Sequence, residues 1–113
     1  MNTMLCRMTD ARKTMRLRVL ASVRERLRGL LGSECDAEPV VLMRCSSIHT
    51  WGMRYAIDVA LIARNGRVLK AIRAVPPKRL VSAVGAYYAL ERPASEEAWP
   101  TAGSWVSLAH VTT

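Results

Sequence analysis

The chain has 113 residues, half of them hydrophobic, with 17 Lys or Arg against nine Asp or Glu and a formal charge of +8. That length supports one core and excludes two full domains, and the apolar fraction excludes disorder over most of the chain. Phe is absent, so Leu, Val, Ile, Ala and Met must fill most of the interior.

Residues 1–13 read as a flexible lead-in without periodicity, ahead of a single β-rich domain over 14–113. Met15, Leu17 and Val19 then alternate with Arg16 and Arg18, the period of a strand with one wet face. Ser22-Val23-Arg24-Glu25 has the form of a capping box. Val23, Leu27, Leu30 and Leu31 follow at helical spacing before Gly32, so a short helix is predicted there. Ser33–Glu38 is polar and reads as a loop, and Val40–Met43 as a short strand after Pro39. Cys45–Tyr55 is polar, holds Gly52 and reads as irregular.

Ile57–Ala63 is apolar on both faces, as a central strand would be. Asn65-Gly66 predicts a two-residue type I′ turn into a partner strand over Val68–Val75. Pro76-Pro77 stops pairing, and Leu80–Val84 links to a strand at Ala86–Glu91. Pro93–Thr101 is a loop with room for one helical turn, and Trp105–Leu108 a last strand. The expected fold is mainly β (α+β), an antiparallel barrel or compact sandwich of about six strands with one short helix packed on it.

Three cysteines at irregular spacings do not suggest a disulfide framework. The first residues lack the apolar run of a signal peptide, and no apolar stretch of about 18 residues could span a bilayer. A cytoplasmic setting and no transmembrane segment are expected. Residues 1–31 hold eight Lys or Arg against Asp10 and Glu25. Such a section could meet an anionic surface, but it has no aromatic side chain to stack on bases, so nucleic acid is not the expected partner.

Ser47–Asp58 reads S-I-H-T-W-G-M-R-Y-A-I-D and concentrates the candidate chemistry. His49 and Asp58 could form an acid–base pair, or Asp58 could cap backbone N–H groups with His49 bonded to it. Arg28, His49, Thr50, Met53, Arg54 and Asp58 are the candidate binding or structural residues. Arg28 could latch Asp58, or join Arg54 and His49 in an anion pocket. Cys35, Cys45 and His49 do not make a zinc set, even with His110, and no phosphate-cradling glycine loop exists. No cofactor or metal is expected.

Five blocks occur in order: Arg28-Gly29-Leu30-Leu31-Gly32, Ile48–Val59, Asn65-Gly66-Arg67-Val68, Pro76-Pro77 and Leu90-Glu91-Arg92-Pro93-Ala94. Over Leu17–Leu108 the chain thus resembles the bacterial and archaeal family called domain of unknown function 192. It departs from that pattern at Ala56, Ala60, Ile62 and Arg92, and over Ser95–Ser104. The resemblance implies a small β-rich domain and brings no agreed reaction or cofactor; many of the relatives it implies are exported. The leading expectation is a non-enzymatic accessory or small-ligand and anion-binding module centred on Ser47–Asp58, its partner a small ligand or a protein. The alternatives are a small hydrolase or isomerase using His49 and Asp58, and an anionic-surface or nucleic-acid binder using the basic amino-terminal section.

Overall fold

The computed structural model describes residues 2–22 and 29–111. Among them nine strands run in order: β1 (Thr3–Met8), β2 (Lys13–Leu20), β3 (Val40–Met43), β4 (Ser47–His49), β5 (Ile57–Ala63), β6 (Val68–Val75), β7 (Leu80–Ser82), β8 (Ala86–Pro93) and β9 (Val106–Val111). Seven form one sheet, ordered β6-β5-β8-β3-β2-β1-β9, and β4 pairs with β7 in a second, small sheet.

The large sheet curls until its two edges touch at one end. Arg67 and Trp105 make an antiparallel bridge there. Val68 N donates to Ser104 O at 2.9 Å, Gly103 N to Val68 O at 2.8 Å, and Val106 N to Gly66 O at 2.9 Å. Only glycine fits this seam at position 66: its φ is +98°, and a Cβ would lie 2.4 Å from the Val106 carbonyl oxygen. The result is a half-barrel pinned at one corner.

Both faces of the central strands are covered. β5 is buried over Ile57–Ile62, which explains its unbroken apolar run. One cluster, within the curl, joins Met4, Cys6, Met8, Leu17, Val41, Ile62, Leu90 and Trp99. The other joins Leu20, Leu30, Leu42, Val59, Leu61, Ile48 and Val81, so the small sheet is a lid on the outer face. Each fully buried aliphatic side chain contributes about 1.5–3 kcal/mol of transfer free energy.

Several expectations need correction. No helix occurs among the described residues, so the fold is all-β there rather than a sheet with a helix packed on it. Most of the expected helix, including Arg28, lies outside them; its expected end, residues 29–32, is a run of turns. Gly29 and Gly32 have φ of 52° and 81°, so the chain turns at both positions and does not run as a helix up to Gly32. The strands exceed the six expected, and the large sheet is mixed, because β2 and β3 run parallel. A parallel pair needs a long crossover, supplied by residues 21–39.

The supposed lead-in carries β1, paired with β2 on one side and β9 on the other. Met4, Cys6 and Met8 are its buried face. The β5–β6 turn also differs in type. Asn65 is not among the residues with positive φ, and Ala63 N donates to Arg67 O at 2.8 Å. That makes a three-residue loop with the left-handed position at Gly66. Asn65 serves through its side chain, whose Oδ1 accepts from Arg67 N at 3.1 Å. No helix of the described residues is long and apolar enough to cross a membrane.

Candidate functional site

The candidate residues divide between two places. Asp58, on β5, is 1% exposed and belongs to a latch. Its Oδ1 accepts from Ala74 N at 2.8 Å, and its Oδ2 accepts from Arg92 Nε at 2.8 Å and Ser95 N at 3.2 Å. The register between β5 and β6 slips between Ile57 and Val59, placing Arg73 and Ala74 opposite the single Asp58. Ala74, at φ 54°, turns its N–H into the carboxylate, so the aspartate satisfies a bulge that the ladder cannot.

Arg92 completes the latch. Its Nη1 donates to Ala98 O at 3.0 Å and its Nη2 to Glu97 O at 2.7 Å. Its guanidinium lies 4.5 Å from the Trp99 ring centroid, and Trp99 Nε1 donates to Val59 O at 3.1 Å. Arg73 holds the same loop, donating to Ser95 O at 2.6 Å and Glu97 O at 2.7 Å. Asp58 is thus occupied by structure: it is paired with Arg92, not with His49, and the expected Arg28 is outside the described residues.

His49, Thr50, Met53 and Arg54 lie around the small sheet. Ile48 and Val81 are its buried side, while His49 and its cross-strand partner Leu80 face outward. The imidazole lies 6.3 Å, centroid to centroid, from the Trp51 ring. Trp51 is 52% exposed and Leu80 is 65% exposed. Met53 is buried in the outer cluster beneath them, and Arg54 is exposed.

Thr50 builds this ledge. It is fully buried, and its hydroxyl donates to Pro76 O at 2.7 Å while accepting from Arg79 N at 2.8 Å. Its backbone N–H donates to Arg79 O at 2.9 Å, and its carbonyl accepts from Lys78 N at 3.3 Å. The loop after β6 is thereby sewn to β4, with Lys78 held at φ 67°, a conformation costing about 1–2 kcal/mol for an L residue. Lys78 and Arg79 are exposed, and their backbone is bonded to Thr50, which lies between His49 and Trp51 in the chain. Gly52 (φ +85°) lets Leu31 approach, since a Cβ there would meet Leu31 Cδ1 at 2.8 Å. The ledge carries four basic or imidazole groups and two apolar faces on a rigid base.

Elsewhere, a shallow cavity of about 260 Å³ is lined by Cys35, Asp36, Arg92 and Glu97, among others. Its acidic groups suit an anion poorly. No cluster of His, Cys, Asp and Glu suited to a metal ion occurs among the described residues. Sequence reasoning missed Lys78, Arg79 and Leu80, which join the site only through strand pairing and the Thr50 bonds. The double proline before Lys78 was the available signal, since it ends β6 and turns the chain back toward β4.

No family model and no curated protein matches this chain. Solved structures do share its fold. A protein of unknown function from Novosphingobium aromaticivorans is 16% identical, covers 93% of this chain and 83% of its own, and superposes with a TM-score of 0.71. A protein from Sinorhizobium meliloti described as a candidate transcription regulator is 15% identical, covers 97% and 94%, and gives a TM-score of 0.75. At these identities the likeness concerns the fold alone.

Proposed function

We propose that this protein is a non-catalytic binding module whose ledge around His49 takes a small organic anion with a flat apolar body. The observation that carries the reading is the Thr50 junction, in which a fully buried hydroxyl and a strained lysine tie the exposed Lys78–Arg79 turn to the segment bearing the exposed His49 and Trp51 rings. Strain held by surrounding bonds is a mark of functional surfaces. The rings and Leu80 supply apolar contact, and the cations supply charge and hydrogen bonds. Asp58, the carboxylate expected to pair with His49, is committed to Arg92 instead, which favours binding over acid–base chemistry. Kinship with the domain of unknown function 192 family, proposed on the five ordered blocks, is compatible with a binding role.

Phenyl phosphate is a suitable probe, with benzyl alcohol and inorganic phosphate as controls lacking the charge or the ring. Calorimetry should find phenyl phosphate bound more tightly than either. Trp51→Ala and Arg79→Ser should each weaken binding about tenfold, equivalent to about 1.4 kcal/mol, with unchanged melting temperatures. Equal affinities for all three probes, or full binding by both variants, would reject the reading.

A further inference from the structure

The rim where the sheet edges meet carries a second, independent arrangement. The β5–β6 turn presents Arg64 and Arg67, and each guanidinium lies over an aromatic ring: Arg64 at 5.0 Å from the Tyr87 centroid, Arg67 at 5.4 Å from that of Trp105. Trp105 is 45% exposed, and Tyr88 packs edge-on against Tyr87 at 4.9 Å. Arg44, at the end of β3, hydrogen-bonds the Tyr87 hydroxyl and lowers its pKa.

The β1–β2 turn joins the same rim. Thr9 Oγ1 donates to Trp105 O at 2.8 Å, and Arg12 closes that turn. The one carboxylate of this turn, Asp10, accepts a hydrogen bond from Thr101 at 3.0 Å. Neither ion pair among the described residues involves Arg64 or Arg67, whose partners are rings.

We infer that this rim binds single-stranded nucleic acid, with bases stacking on Trp105 and Tyr87 and phosphates held by Arg44, Arg64 and Arg67. Cations interleaved with accessible rings, Trp105 exposed and Tyr87 half-buried, are what such recognition needs: stacking serves any base, and charge follows the backbone. Duplex DNA hides its base faces within the stack and shows only their edges in the grooves, leaving the rings nothing to stack on. A protein partner would have no reason to require bases. The basic amino-terminal section lacked aromatics of its own; the fold supplies them from β8 and from the chain just before β9.

The test is fluorescence anisotropy of a short labelled oligodeoxythymidylate at low salt, with duplex DNA and inorganic polyphosphate as competitors. The oligonucleotide should bind, with duplex and polyphosphate competing far less well. Trp105→Ala and Tyr87→Leu should each weaken it about tenfold, and Trp105→Phe should restore most of the loss. Arg64→Ser, Arg67→Ser and the two together act at exposed positions and keep the test decisive should Trp105→Ala fail to fold. Trp51→Ala should leave this binding intact, which separates it from the ledge. Absence of binding, equal competition by polyphosphate, indifference to the ring and arginine variants, or loss on Trp51→Ala would each overturn the inference.

Discussion

Two buried carboxylates with opposite fates define the chemistry at the residue scale. Asp58 is paired with Arg92 and bonded to two backbone N–H groups, and removing one partner of such a buried pair costs about 3–5 kcal/mol. Arg92→Met should therefore lower the unfolding free energy by several kcal/mol in urea titration, whereas His49→Ala, at an exposed site, should change it by about 0.5 kcal/mol or less. Glu91 lies 4% exposed beneath the turn at Gly29 and Leu30. Burial raises its pKa from 4.5 to about 7, against the opposing effect of the Leu30 N–H bond. Well below pH 4.5 the carboxyl is neutral whether folded or unfolded. As pH rises from 4.5 to about 7 the unfolded chain loses this proton first, so stability should fall across that window and level off above it. The drop should be on the order of 3 kcal/mol, and Glu91→Gln should flatten the profile of melting temperature against pH. The sequence suggested that Asp58 caps N–H groups of the loop before it, whereas its N–H partners are Ala74 on β6 and Ser95 after β8. Its ionic partner was not legible, because Arg92 is 34 residues away and meets it only through the β5–β8 pairing.

At the scale of elements, period-two patterning exposed most of the strands, while connections decided the errors. β1 escaped notice although Met4, Cys6 and Met8 alternate, since methionine and cysteine carry little strand signal compared with branched residues. Most of the helical signal of residues 22–32 falls outside the described residues; over 29–32 it is overridden by turns that place Leu30 in the outer cluster. The Asn65-Gly66 turn was visible in sequence, but its second duty at the seam was not. Gly66→Ala should destabilise the protein by more than 1 kcal/mol, both for its φ of +98° and for the 2.4 Å approach to Val106 O. Amide exchange should quicken at Val68, Gly103 and Val106 and spare β3. Unchanged protection at those three amides would show that the seam does not depend on this close approach.

The whole molecule separates its charges by region. Glu34, Asp36, Glu38, Glu96 and Glu97 sit in the two loops around the shallow cavity, Asp58 and Glu91 are buried, and cations line both the ledge and the rim. The basic balance was plain in the sequence, but its concentration in the amino-terminal section was a poor guide to its use. Curling of the sheet and folding of the β4–β7 lid assemble both surfaces from distant segments, which periodicity cannot foresee. The same assembly puts one tryptophan in each setting: Trp51 on the ledge, Trp105 on the rim and Trp99 in the latch, 4% exposed. The most direct test is therefore an NMR titration of the three ¹⁵N-labelled indole N–H signals with phenyl phosphate. Movement of the Trp51 signal, with Trp105 and Trp99 stationary, is the predicted result; a motionless Trp51 signal, or all three moving together, would contradict a dedicated ledge.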